Sequence, residues 1–118
     1  MNNPITIRVS DFTGGPIAVA AADGQQLHDA VAPLLKEGKP VVLSFAGIET
    51  IIAAFLSAAV GQLYGEFSKE RIRELIAIRD LSPDDELQLG RVVRNACAYF
   101  KNPELYDQAW KEGVGDEV

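Results

Sequence analysis

The side chains in this chain that could do chemistry are few and lie far apart in sequence. His28 is the only histidine and Cys97 the only cysteine. A thiol nucleophile needs a base beside it, and sequence spacing alone leaves open whether these two residues meet in the fold. The apolar helical pattern around Cys97 turns that residue inward, so we interpret it as a small buried packing residue. His28 precedes Asp29 and has no second histidine or cysteine at metal-ligand spacing, so we interpret it as a histidine on the surface or flank of a helix.

Two acidic groups resemble metal ligands, but helical geometry argues against both. Asp84, Asp85 and Glu86 are consecutive, so on a helix their carboxylates point in different directions and do not converge on one cation. They suit the positive end of a helix instead. Glu66 and Glu70 stand four residues apart, but no further carboxylate joins them, and we interpret them as a solvated face. We therefore expect no catalytic residue, no metal site, no cofactor and no enzymatic activity.

Composition limits the classes of protein to which the chain can belong. It has 118 residues, of which 47 % are hydrophobic and 24 % charged, as in an ordinary globular domain. We expect a single domain over residues 1–112 and a flexible tail over residues 113–118. The net charge of −6 argues against a nucleic-acid or anionic-membrane partner. The start shows no secretory signal, and the longest apolar run falls well short of the roughly 20 residues that span a bilayer, so we expect a cytoplasmic protein.

Hydrophobic periodicity predicts an α/β sandwich with its elements in the order β-β-α-β-α-β-α-α. Residues 5–9 and 17–20 are predicted to be short strands, and Gly14 and Gly15 between them suit the turn of a hairpin. Asp23 is placed to cap the first helix, and Gly38 to end it. Strands that alternate with helices at this spacing are typical of mainly parallel central strands. We expect a four-stranded mixed sheet with helices packed on it.

The segment 41–67 is predicted to form the centre of the fold. Residues 41–45 are an almost unbroken apolar run, which is typical of a central strand covered on both faces. A long helix is expected to follow, in which Ile51, Phe55 and Ala58 widen the apolar stripe beyond what one sheet face needs. Its Gly61 and Gly65 favour close packing of a helix on the sheet.

Two further helices are predicted beyond a fourth strand over residues 75–78. The first begins at Ser82, which suits a helix cap, with Pro83 as the first helical residue. The second begins at Asn102 and carries Leu105, Tyr106, Ala109 and Trp110.

Several packing segments carry a family resemblance. They are residues 22–27 (ADGQQL), 38–48 (GKPVVLSFAGI), 51–56 (IIAAFL) and 61–64 (GQLY). Together they resemble a bacterial STAS-like family of unknown function, distantly related to the STAS domains of anti-sigma-factor antagonists, over about residues 5–94. The resemblance implies a regulatory module that acts by protein–protein contact.

The chain departs from the STAS pattern where that pattern carries its switch. The central strand commonly ends in an aspartate, and this chain has Ser44. The next helix commonly starts with one or two phosphorylatable serines, and this chain has Ala53 and Ala54. Alanine has no hydroxyl, so a phosphate switch cannot operate at these positions. Thr50 is expected to cap the helix, although Thr50 and Ser57 stay open as alternative phosphorylation sites.

The resemblance also implies a docking surface around the turn and the first turns of this helix. In STAS proteins this region binds a partner, often a kinase-like ATPase, and a transcription regulator is a second class of partner to expect. The hypothesised contact residues are Gly47, Ile48, Thr50, Ile51, Ala54, Phe55 and Ala58. The surplus apolar width is equally compatible with contact to a neighbouring helix. A small-ligand sensor that binds a nucleotide or anion at the free helix amides is the alternative function, and a homodimer is left open.

Overall fold

The chain alternates short strands with helices along residues 3–101, the part that the structure, a computed structural model, describes. In chain order the elements are β1 (Ile5–Arg8), α1 (Ser10–Thr13), β2 (Ile17–Ala18), α2 (Ala21–Lys36), β3 (Val41–Ser44), β4 (Thr50–Ile51), α3 (Ala53–Ala59), a 3-10 helix (Gly61–Gly65), α4 (Lys69–Leu75), β5 (Ile76–Arg79) and α5 (Pro83–Lys101). None of these helices is both long and apolar enough to cross a bilayer. The helix expected from Asn102 and the tail over residues 113–118 lie outside the described residues.

The strands form two parallel sheets. β3 lies between β1 and β5, and Val41 aligns with Ile5 on one side and with Ile76 on the other. β2 and β4 pair separately as a two-stranded ladder. The mixed α/β architecture, the central strand and the strand near residues 75–78 are thus confirmed. The single four-stranded mixed sheet is not formed within residues 3–101, because every pair is parallel and the strands divide into groups of three and two.

The hairpin predicted for residues 5–20 is wrong. β1 leads into α1, and Gly14 ends that helix with a φ of 72° while its amide donates to the Ser10 carbonyl. The positive φ that suggested a hairpin turn therefore serves a helix end. β2 then runs parallel to β4 instead of antiparallel to β1.

The central strand β3 buries one row of its side chains fully and the other row only in part. Along β3, Val41 and Leu43 are almost inaccessible, whereas Val42 and Ser44 are half-buried. Side chains alternate across a strand, so this pattern identifies one core-facing row. The expectation that the strand is covered on both faces is therefore wrong for the second face.

The core lies between the sheet and a helical layer in which α2 packs on α3, and α5 packs on both α3 and the 3-10 helix. Its largest fully buried side chains are Phe45, Phe55, Leu27, Leu35, Leu43, Leu56 and Leu63. α2 begins at Ala21 with Ala20 as its cap, so Asp23 lies in the first turn and is not the capping residue. Gly38 follows the helix with a φ of 76° and its amide donates to the Leu35 carbonyl, as predicted.

The long helix predicted after β3 is broken into shorter pieces. α3 ends at Ala59, and the 3-10 helix and α4 follow, of which α4 was not predicted. Gly61 faces Val92 of α5, and Gly65 faces the ring of Phe100, so both glycines permit helix–helix contact and not the predicted helix–sheet contact.

The start of α5 is confirmed. Pro83 is its first residue, and the Ser82 hydroxyl accepts a hydrogen bond from the Asp85 amide at 3.2 Å.

Candidate functional site

The candidate docking edge is formed by the β2–β4 ladder and the start of α3. Ile17 aligns with Thr50 and Ala18 with Ile51, and the Ile52 amide continues the ladder by donating to the Ala18 carbonyl at 3.1 Å. Aligned residues of a parallel pair project to the same side. Ala18 and Ile51 are buried, so their neighbours along each strand project outward.

Three large aliphatic side chains on this outward side are exposed to solvent. Ile17 is 48 % exposed, Val19 38 % and Ile52 41 %. We call Ile17, Val19 and Ile52 the ladder face. Ala53 and Ala54, the first two residues of α3, are exposed directly after Ile52 and extend this apolar surface.

The hypothesised contact residues fall into two groups. Gly47, Thr50 and Ala54 are exposed, whereas Ile51 and Phe55 are buried and Ile48 is half-buried against the core. Buried side chains cannot contact a partner, so this second group stabilises the edge by packing in the core.

Contact with a neighbouring helix explains much of the surplus apolar width of α3. Gly24 of α2 approaches α3 so closely that an added Cβ would lie 2.5 Å from the Phe55 carbonyl oxygen and 3.0 Å from the Ala58 Cβ. The side of α3 that carries Phe55 and Ala58 therefore packs against α2. The exposed apolar surface comes instead from β2, which the mistaken hairpin had placed elsewhere.

The positions considered for phosphorylation are all on the surface. Ala53 and Ala54 lie at the start of α3, where they lack the hydroxyl group, and Ser57 is exposed on the same helix. Thr50 is exposed in β4 and does not cap α3, because Ile52 occupies the N-cap position and no side chain caps that helix. The predicted capping role of Thr50 is wrong for this reason.

A polar cluster around the buried ring of His28 joins α2 to the residue after the 3-10 helix. His28 is only 7 % exposed, and its ring contacts two carboxylates. Nδ1 lies 2.9 Å from Asp29 Oδ1, and Nε2 is hydrogen-bonded to the Glu66 carboxylate. The prediction of a surface or helix-flank His28 is therefore wrong, whereas Glu66 is exposed as predicted and uses its carboxylate to bind the buried ring. The sequence indicated only that Asp29 lies next to His28. It did not indicate the contact with Glu66, because Glu66 is 38 residues away from His28.

Two glutamines extend this cluster toward α3. The Gln25 Nε2 donates to Asp29 Oδ1 at 3.0 Å, and the Gln25 Oε1 accepts from the Gln62 Nε2 at 2.7 Å. The same Gln62 amide group also donates to the Ala58 carbonyl at 2.8 Å. We call Gln25, His28, Asp29, Gln62 and Glu66 the histidine cluster.

The electrostatics of the histidine cluster favour the imidazolium form of His28. Burial opposes the charge, but the hydrogen bonds to Glu66 and Asp29 and the charges of these carboxylates outweigh it, so the pKa of His28 is raised above 6.5. The hydrogen bonds from His28 and Gln25 lower the pKa of Asp29 in turn. A carboxylate at each ring nitrogen suits the imidazolium, the form in which both nitrogens donate.

The hydrogen bonds of the histidine cluster hold α2 against the 3-10 helix and the residue that follows it. The His28 ring contacts Gln25, Asp29 and Glu66, and the Cys97 thiol is not among these partners. Cys97 lies half-buried on α5 and carries a free thiol. Among residues 3–101, no group of three His, Cys, Asp or Glu side chains is placed to hold a metal ion.

A family model described as the STAS-like domain of unknown function (DUF4325) matches residues 23–86, which is more than half of the chain. The chain belongs to this family. The resemblance inferred from the packing segments is therefore confirmed. No match was found among curated proteins or among solved structures.

The matched part of this STAS-like domain contains β3, β4, α3 and β5 together with every member of the histidine cluster. Ile52 of the ladder face lies within it. Ile17 and Val19 precede it, so two of the three side chains of the ladder face come from outside the matched residues.

Proposed function

We propose that this STAS-like domain is a non-enzymatic regulatory module that binds a protein partner through the ladder face. The observation that carries the proposal is the exposure of Ile17 in the ladder and of Val19 and Ile52, the residues that directly follow its two strands. Single exposed aliphatic residues are common, but a contiguous group is typical of an interaction surface. Exposed Ala53 and Ala54 extend the surface with small side chains that permit close approach.

The charges around the ladder face favour a partner with a basic rim. The chain has no lysine or arginine in residues 9–35 or 41–68, the two segments that supply the ladder and α3. The acidic residues in these segments are Asp11, Asp23, Asp29, Glu49 and Glu66. Of these, Glu49 is exposed next to Thr50. An apolar patch with an acidic surround is complementary to an apolar patch with lysine or arginine at its margin.

The same charge pattern weighs against the nucleotide or anion sensor. Phosphate binding draws on lysine and arginine side chains in addition to helix amides. α3 has only seven residues, and the segments around it contain no basic side chain. A protein partner therefore makes better use of this surface than a phosphate does.

Binding at the ladder face would not be controlled by phosphate at the usual positions. Ala53 and Ala54 lack a hydroxyl, so the proposed contact is constitutive there. Thr50 is the more informative alternative, since it aligns with Ile17 and is exposed. Phosphate on Thr50 would place negative charge on the apolar contact and weaken it.

The proposal is tested by exchanging a single side chain of the ladder face. A photo-crosslinking residue at position 52 in the native host identifies the partner, which is then purified and titrated by calorimetry. Ile52→Asp is expected to weaken binding at least about tenfold, because a carboxylate would replace an apolar contact in an already acidic surround. Aspartate is also a favoured N-cap residue, and position 52 is the N-cap of α3, so the variant should keep its fold.

Leu87→Asp is the matched control for that experiment. Leu87 is 66 % exposed on α5 and is not a residue of the ladder face, so its exchange should leave the affinity unchanged. Equal binding of wild type and Ile52→Asp would overturn the proposal. Crosslinks only to a second copy of the chain would replace the heterologous partner with a homodimer.

A further inference from the structure

A cavity of about 220 Å³ lies between the 3-10 helix, α4, β5 and α5, apart from both the ladder face and the histidine cluster. Most of its wall is aliphatic. The apolar lining consists of Val60, Ile72, Ile76, Ile78, Leu89 and Val93. Three polar side chains complete the wall, and they are Tyr64, Lys69 and Arg73.

The polar side chains give the cavity a cationic side toward solvent. Val60 and Ile72 are buried, whereas Lys69 and Arg73 are exposed. Lys69 and Arg73 are four residues apart on α4, so they lie on the same side of that helix. Neither forms an ion pair with a carboxylate of residues 3–101. Two cations that form no ion pair within residues 3–101, next to an aliphatic wall, give the cavity a polarity suited to an amphipathic anion.

Tyr64 adds a hydrogen-bond donor to the same wall. Burial, with a smaller contribution from Cys97, raises the pKa of the Tyr64 phenol, although nearby Arg73 acts in the opposite direction. The phenol therefore keeps its proton at neutral pH and can donate to an oxygen of a bound anion.

We infer that this cavity binds a short aliphatic monocarboxylate, with its chain against the aliphatic wall and its carboxylate beside Lys69 and Arg73. The volume of about 220 Å³ is below the range of about 300–1,000 Å³ that drug-sized ligands occupy, which favours a short chain, and a chain of about eight carbons serves as the probe. Arginine matches a carboxylate with two parallel hydrogen bonds, and lysine adds a second charge.

The inference is tested by amide NMR titration of the full chain with sodium octanoate. Octanoate should shift the amide signals of α4, β5 and the Leu89–Val93 turn of α5, and leave those of β2 and β4 in place. Two matched probes separate the ligand's parts. 1-Octanol keeps the chain and removes the charge, and acetate keeps the charge and removes the chain. Each should bind at least about tenfold more weakly than octanoate.

A surface variant removes the cations without touching the aliphatic wall. Lys69→Gln combined with Arg73→Gln should reduce the affinity for octanoate to that for octanol and leave octanol binding unchanged, a pattern that general loss of structure would not give. Arg91→Gln, an exposed exchange on α5, is the control and should have no effect. The inference is overturned if millimolar octanoate shifts none of these signals, if octanol binds as tightly as octanoate, or if the double variant binds octanoate like the wild type.

Discussion

His28 and Glu66 form a hydrogen bond that ties the middle of α2 to the residue directly after the 3-10 helix. Asp29 holds the opposite nitrogen of the same ring. The imidazole ring thus lies between two carboxylates in a position that is largely closed to water. The contact links two helical segments that the hydrogen bond from Gln62 to Gln25 also joins, so protonation of His28 is coupled to the packing of the helical layer.

This coupling predicts how stability depends on pH. The pKa of His28 is raised in the folded state, so its stabilising contribution is complete below pH 6.5 and is lost as pH rises through the higher folded pKa. NMR titration should show a midpoint above 6.5, and the signal is unambiguous because the chain has a single histidine. Removing the carboxylate with Glu66→Gln should lower the midpoint and reduce the melting temperature more at pH 6 than at pH 8.5.

Glu70→Gln is the control for that series. Glu70 is exposed on α4, four residues from Glu66, and no hydrogen bond joins it to His28. Its exchange should leave the His28 midpoint in place. A wild-type midpoint at or below 6.5, or a stability loss in Glu66→Gln that is the same at both pH values, would contradict the assignment.

A pair of glycine exchanges tests the close contact of α2 with α3. Alanine normally stabilises a helix relative to glycine by about 1 kcal/mol. At Gly24, however, the added Cβ would lie 2.5 Å from the Phe55 carbonyl oxygen, so Gly24→Ala should destabilise the domain by about 1–3 kcal/mol. At Gly90 on α5 the nearest atom is 3.4 Å away in the flexible Arg94 side chain, so Gly90→Ala should stabilise. Urea denaturation measures both, and a stable Gly24→Ala variant would refute the close approach.

The features that were predictable from sequence are those set by neighbouring residues. Ser82 and Pro83 begin a helix because a hydroxyl cap and a preset φ act within one turn. Gly38 ends α2 because its left-handed backbone is a local requirement. The apolar run in β3 marks a central strand for the same reason. The mistakes involve partners distant in sequence, since nothing near β2 indicates that it pairs with β4 rather than with β1.

The candidate site shows the same division. Periodicity gave the width of the apolar stripe on α3 but not the element that covers each side of that helix. The side of α3 that carries Phe55 packs against Gly24 of α2. The ladder face was not predicted because Ile17 and Val19 come near Ile52 only through the parallel pairing of β2 with β4. The hydrogen bond of Glu66 was not predicted because its partner His28 is 38 residues away in the sequence.

An arginine exchange tests the end of α2. The Arg71 side chain donates from Nη2 to the Leu35 carbonyl at 2.8 Å and also reaches the Lys36 carbonyl, so it satisfies groups that the helix itself leaves free. Arg71→Met should destabilise the domain by about 1 kcal/mol, the usual net value of such a bond. Arg91→Met on α5 is the control and should change little. Thermal unfolding compares them, and equal melting temperatures would show that the Arg71 contact adds nothing.

The last prediction separates the inside of the docking edge from its outside. Phe55 is fully buried and Ile52 is 41 % exposed, although only two residues lie between them. Phe55→Ala should lower the free energy of unfolding by about 3–5 kcal/mol, because it leaves a cavity in the core. Ile52→Asp should change stability by no more than about 0.5 kcal/mol, since the site is on the surface and the new carboxylate can cap α3. Denaturant titration gives both values. If Ile52→Asp unfolded the domain as Phe55→Ala does, a loss of partner binding in that variant would report on folding, and the ladder face would lose its best probe.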